Sequence, residues 1–278
     1  MHPNLRSLEK EKTRLARLRL RIVKRRKSTH WEMKTMENAI RSMKNNKCRD
    51  ASGLMNELLK PGVAGHDFKM SLLSLMNKIK DQLEIPEMMK HVNISLIPKP
   101  GKRNLRIIFN HRGIFLIHKY RSLLMRMLLD DEYDTIDKYM SDSNVGGRKD
   151  IGICDHLFVI NGIIQEHCTS QSKPITIQIF DYKTCFYSMW QDEVINELYD
   201  AGVQDDKLAL LHKIYETNII KVKTPAGLSD ARNVENIICQ GDPWGSMECG
   251  VMVDGFGKKA WTQRWSPTNT RAKFQCPF

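Results

Sequence analysis

The sequence predicts an α+β protein with no internal repeat, and three observations carry that prediction. Apolar residues recur every three or four positions over most of the chain, which is the period of a helix packed on one side. Two stretches instead alternate around turns rich in Pro and Gly, as hairpins do, and a third, Pro174-Ile-Thr-Ile-Gln-Ile-Phe-Asp181, alternates alone. The order is helices, hairpin, helices, strand, helices, hairpin.

Each element follows from its local pattern. Leu5, Leu8, Leu15, Leu18 and Ile22 form an apolar stripe among Arg and Lys, so residues 1–27 predict a basic amphipathic helix, or one that forms on contact. Met33, Met36, Ile40 and Met43 predict a helix over 31–44 that stops at Asn45-Asn46. Residues 54–59 give a second helical stretch ending at Pro61-Gly62. Leu72, Leu73, Leu75, Met76 and Ile79 place a third over 68–83. His91 to Ile97 and Leu105 to Phe109 predict a hairpin with Lys99, Lys102 and Arg103 at its tip. Helices are expected over 120–129, after the Gly146-Gly147 break over 155–166, from Phe186 through Leu198, and again around Leu208 to Tyr215. Ile219 to Thr224 and Val234 to Cys239 predict a second hairpin, and a last helix runs to about Lys259.

Composition narrows the function classes. The chain has 278 residues, 41% of them hydrophobic and 27% charged, which is a globular balance. No apolar run approaches the roughly 20 residues of a bilayer span, so neither a membrane segment nor a secretory signal is expected. The net charge of +12 is concentrated at the ends. Residues 1–27 hold eleven Lys/Arg against two Glu, whereas residues 28–258 sum to −1. A polyanion is therefore drawn first to the termini, and Lys24-Arg25-Arg26-Lys27 reads either as part of a solvated arm or as nucleic-acid contact or nuclear address. A membrane-surface helix is disfavoured, because the apolar stripe of residues 1–27 lacks Phe or Trp anchors. Seven cysteines, at 48, 154, 168, 185, 239, 249 and 276, form no Cys-x-x-Cys pair. They are expected to be reduced, buried thiols of a nuclear or cytoplasmic protein, without structural zinc.

Two segments carry the chemistry. Asp181 closes a strand and Phe186 follows five residues later at a helix start, an arrangement suited to holding a hard cation beside a nucleotide sugar. An isolated strand-terminal Asp is more often a helix N-cap or turn former. Cys239-Gln-Gly241-Asp-Pro-Trp-Gly245-Ser246 is a glycine turn before a helix, open to close ligand approach, although Gly-Asp-Pro is also ordinary turn chemistry.

Taken in order with the hairpin, with Met43-Lys-Asn-Asn-Lys-Cys-Arg-Asp-Ala-Ser-Gly-Leu-Met-Asn-Glu-Leu-Leu59 and with Ser143-Asn-Val-Gly-Gly-Arg-Lys149, these segments resemble the reverse transcriptases of non-LTR retrotransposons over residues 35–258. The resemblance implies a partial right-hand polymerase: a basic arm (1–34), a fingers-like region (35–173), a partial palm (174–258) and a divergent basic tail (259–278). It implies that Asp181 and the backbone carbonyl of Tyr182 bind Mg²⁺, with Mn²⁺ as a substitute. Phe186 would pack under the incoming sugar and reject a ribose 2′-hydroxyl. Lys99, Lys102 and Arg106 would hold triphosphate or template phosphates, with Arg106 able to do so bidentately. Gln240 and Gly241 would lie against the nascent base pair, and Arg148 would contact the RNA backbone. The partners implied are an RNA template, a DNA primer and deoxynucleoside triphosphates.

One part of the family's pattern is missing. Two cations stabilise the attacking and leaving oxygens in such transfers, and one aspartate cannot hold both. The family supplies paired aspartates after the glycine turn and its helix, but residues 259–278 contain no acid. Asp130-Asp131 precedes Asp181 within a helical pattern, and Asp205-Asp206 opens a helix whose dipole it suits. Tyr187 stands where many relatives carry an acid, and Arg106-Ile107-Ile108 replaces Arg-Pro-Ile. The expectation is a truncated polymerase, inactive alone, with an exposed sheet edge. The alternative is a non-catalytic RNA-binding remnant.

Overall fold

The computed structural model describes residues 29–50, 52–170, 177, 185–224, 227–234, 236 and 238–262. The expected arm over 1–27, all of the expected 174–181 strand but Ile177, and the tail beyond residue 262 lie outside them.

The described chain is a mixed α+β structure. Helices α1 (Met33–Ser42), α2 (His66–Gln82) and the single turn α3 (Glu87–Lys90) lead into β1 (His91–Pro98) and β2 (His111–Ile117). Then come α4 (Lys119–Tyr139), α5 (Ile153–Gln165), the short α6 (Cys185–Ser188), α7 (Gln191–Asp200) and α8 (Asp205–Glu216). Strands β3 (Ile219–Thr224) and β4 (Gly227–Leu228) precede α9 (Gly245–Thr262). The expected second helical stretch is a 3₁₀ turn, Asn56–Leu59.

The predicted helix periods place α1, α2 and α8 within a few residues of their observed ends, and the start of α4 within one, but α4 continues ten residues beyond the expected end at 129. The central one is α4, whose Leu123, Leu124, Met125, Met127 and Leu128 are fully buried. A helix covered on several sides is a core helix, and each such side chain contributes about 1.5–3 kcal/mol by leaving water. Its start is capped twice: the His118 ring accepts the Tyr120 N–H, and the Asp50 carboxylate accepts the Lys119 N–H at 2.8 Å.

Two expectations about strands are corrected. The partner of β1 is His111–Ile117, not Leu105–Phe109. The register Val92↔Ile117 and Ile94↔Phe115 puts four apolar side chains on one buried face, whereas Leu105 to Phe109 are all exposed. The partner of β3 is the two-residue β4 with an added bridge from Arg232, and no described residue of 234–239 belongs to a strand. The two expected hairpins are one sheet of order β2-β1-β3-β4, because β1 and β3 pair in parallel from His91↔Ile219 to Ser95↔Lys223.

Two apolar clusters result. The larger joins α1, α2, α4, α7, α8 and α9; the smaller, on the sheet, consists of Val92, Ile94, Phe115, Ile117, Ile220 and Cys239. Helix α5 contributes to neither: Ile153 is 74% exposed and Phe158 80%. Among the described residues no helix is long and apolar enough to cross a membrane.

Candidate functional site

The short helix α6 sits at the seam between the two clusters. Cys185 and Phe186 pack against the larger and Tyr187 against the smaller. Sequence-adjacent residues thus face different cores, which fixes α6 although it has a single turn. Tyr187 is held by the sheet: its hydroxyl accepts the Gly113 N–H at 3.1 Å, and its ring lies 5.9 Å from that of Phe115.

The glycine turn meets α6 from the other side. The Ile238 N–H donates to the Phe186 carbonyl at 2.9 Å, and a Cβ on Gly245 would lie 3.4 Å from the Phe186 ring. Two segments some fifty residues apart in sequence therefore form one surface. Gln240 and Gly241 are exposed on it, and Gly241 has φ +102°, a backbone that disfavours any side chain. Beneath them the turn is firmly closed. The Asp242 carboxylate accepts the Trp244 N–H at 3.1 Å, and the fully buried Trp244 indole donates to the Met125 carbonyl at 2.9 Å.

A buried polar group supports this turn from inside. Arg121 of α4 is 1% exposed, donates to the Asn218 side chain, and faces the Asp242 carboxylate at 3.9 Å. Tyr215 donates to Glu248 of α9. Burial pushes the Asp242 carboxyl up despite the attraction of Arg121, and pushes Glu248 up to about 8 against the same pull. Sequence reasoning missed this group. The sequence signal was faint, because Arg121 stands in the first turn of α4 between Tyr120 and Ser122, ahead of the apolar run that begins at Leu123.

The loop after α4 joins the same neighbourhood. The Asn144 side chain donates to the Gly250 carbonyl at 2.8 Å, and Ser141 donates through its backbone N–H and hydroxyl to Asp254. Gly147 lies so close to Ser246 that a Cβ there would come within 2.7 Å of it. Within this loop Arg148 is committed to the protein. It forks onto the Asp137 carboxylate at 2.8 and 3.1 Å, donates to the Ser141 carbonyl, and is only 11% exposed at its side chain. Its guanidinium closes the loop, and no donor fork is turned outward for an RNA backbone.

The segment 43–59 reaches the site indirectly, through Asp50 at the start of α4. Burial would raise the Asp50 carboxyl, but hydrogen bonds from Ser52, Lys119 and Leu54 outweigh it and hold it below the usual carboxylate range.

The hairpin connection, 99–110, carries the expected phosphate contacts. Lys102 and Arg106 are exposed and Lys99 half-buried; none is ion-paired among the described residues. The Lys99 N–H closes the mouth of the connection on the Asn110 carbonyl at 2.8 Å. Asp181 and Tyr182 lie outside the described residues, as do Lys24, Arg25, Arg26 and Lys27. Among the described residues no three His, Cys, Asp or Glu stand together as a cation seat.

No family model matches the chain, and no curated protein matches it.

Proposed function

We propose that the chain is a fingers and partial-palm portion of an RNA-directed DNA polymerase of the non-LTR retrotransposon type, and that this stretch alone does not extend a primer. What supports the reading is the convergence of its separate motifs: α6 with Phe186, the turn with Gln240 and Gly241, and the 141–148 loop all pack onto the start of α9 or onto one another. Motifs that served unrelated turns would have no reason to meet. The sheet adds the hairpin to the set through Tyr187 and Gly113.

In this proposal Phe186 is the sugar-facing aromatic, Gln240 and Gly241 lie along the base pair, and Lys99, Lys102 and Arg106 hold phosphates. Asp181 and the Tyr182 carbonyl remain the proposed magnesium ligands, and magnesium would neutralise charge on the transferred phosphate. Arg148 takes no part. Inactivity follows from charge: the sequence offers one candidate metal-binding carboxylate where two cations are needed.

Primer extension on an RNA template with Mg²⁺ or Mn²⁺ should yield no DNA, and clear template-dependent synthesis would refute the inactivity. Ultraviolet cross-linking of labelled dTTP and of ribothymidine triphosphate tests the family assignment. The deoxy form should be preferred, and Phe186→Ala should erase the preference. Equal labelling of the unaltered chain by both nucleotides would count against the assignment. A purely RNA-holding role, which the unpaired hairpin cations also suit, predicts RNA affinity unchanged by Asp181→Ala and no nucleotide labelling.

A further inference from the structure

The connection between β1 and β2 exposes more than its cations. Leu105, Ile107, Ile108 and Phe109 are 52%, 45%, 59% and 69% exposed, although they sit in one short turn. The turn is nevertheless shaped. Asn104 accepts the Arg106 N–H at 3.1 Å through its side chain, and its carbonyl accepts from the Asn110 amide at 2.7 Å. From Met88 to Leu129 the sequence contains no Asp or Glu, and Lys99, Lys102, Arg103, Arg106 and Arg112 of the hairpin have no acidic partner among the described residues.

An apolar protein partner would bury these five cations without counter-charge, at a high desolvation cost. A single-stranded polynucleotide supplies what both halves of the patch lack: a flat base for an exposed aromatic, and one phosphate per nucleotide for the cations. A duplex hides its base faces and can offer only the phosphates.

We propose that this turn binds single-stranded RNA or DNA by stacking an unpaired base on Phe109, with the neighbouring Lys and Arg holding the flanking phosphates. The stacking adds to the phosphate contacts of the function proposed above, and it requires neither metal nor polymerisation. The two can therefore fail separately.

The test is fluorescence anisotropy of labelled 12-nucleotide RNA, DNA of the same sequence, and the corresponding duplex, all in EDTA without nucleotide. Both single strands should bind more tightly than the duplex. Phe109→Ala should weaken single-strand binding about tenfold, a typical loss of one stacked base, and leave the salt dependence unchanged. Phe109→Trp should retain it. Lys102→Ala with Arg103→Ala should instead flatten the plot of log affinity against log salt by about 1.4, the share of two phosphates on a single strand. Because Phe109 is exposed, thermal melting should confirm that its variants stay folded. Equal binding by Phe109→Ala and the parent overturns the proposal. So does a Phe109-dependent self-association in sedimentation, or Phe109-dependent binding to phosphatidylserine vesicles with RNA affinity unaffected.

Discussion

The hydroxyl of Tyr187 occupies the space that a side chain on Gly113 would need. A Cβ at Gly113 would lie 2.5 Å from that oxygen and 2.9 Å from the Ile94 side chain, and the same oxygen accepts the Gly113 N–H. The contact ties the hairpin to α6, and hence to Phe186. Gly113→Ala should destabilise the fold by about 1–3 kcal/mol, the usual cost of forcing extra volume into a packed site. Tyr187→Phe alone removes a hydrogen bond worth about 0.5–1.5 kcal/mol. Combined with Gly113→Ala it also removes the obstructing oxygen. Urea denaturation of all four proteins should therefore show the double variant more stable than the sum of the single losses. Additive losses would show that the two residues are not in contact.

Arg148 is placed to stabilise rather than to bind. Its fork on Asp137 is largely shielded, and it also ties two carbonyls of the 141–148 loop. Arg148→Ala should lower stability by about 1–3 kcal/mol, as expected when hydrogen bonds to a charged group are lost. RNA affinity, measured by filter binding at fixed salt, should stay at the parent value. A folded Arg148→Ala variant with clearly weaker RNA binding would restore the role that the sequence suggested.

Glu248 makes the turn's support pH-dependent. Its carboxyl is pushed up to about 8 by burial, against the pull of Arg121, from an ordinary value of 4.5. Between these values the folded state holds a proton that the unfolded state has released, so this residue's contribution to stability falls as pH rises from about 4.5 to 8. Asp242, also pushed up by burial beside Arg121, acts in the same direction. Glu248→Gln keeps an oxygen for the Tyr215 hydroxyl and removes the titration. Its stability relative to the parent should rise with pH across that window and level off above it, as followed by chemical denaturation in a buffer series. A constant difference at all pH values would place the burial cost elsewhere.

What the sequence disclosed and what it withheld divide by range. The apolar period of three and four is local, and it located α1, α2 and α8 nearly to their ends. Leu105-Arg-Ile-Ile-Phe109 was the expected partner of β1, and only the buried face that Phe115 and Ile117 share with Val92 and Ile94 shows the partner to be His111–Ile117. The parallel pairing of β1 with β3 joins segments over a hundred residues apart and leaves no mark in either one. For the site, order along the chain named the segments. The contact between Phe186 and the turn at Gly245 is a tertiary fact. Arg121 was hidden because it sits in the first turn of α4 beside Lys119, Tyr120 and Ser122, where one sequence does not separate a basic residue that turns inward from one that reaches solvent.

The cysteines depart from the expectation of uniformly buried thiols, and their reactivity should divide accordingly. Cys48, Cys154 and Cys168 are exposed, because each falls in a loop or on an uncovered helix face. Cys239 is buried in the sheet cluster, where desolvation pushes its thiol up to about 12. Cys249 is pushed to about 12 as well, first by burial and then by Cys185, whose sulfur lies 3.5 Å away. Since the thiolate is the reacting form, the first three should be alkylated by iodoacetamide at pH 8 within minutes, while Cys239 and Cys249 react only on unfolding. Peptide mass spectrometry of a time course, with and without guanidinium, reads each site separately. Fast labelling of Cys239 in the folded protein would mean that the sheet cluster opens, and that α6 has lost the seam that holds Phe186 against the glycine turn.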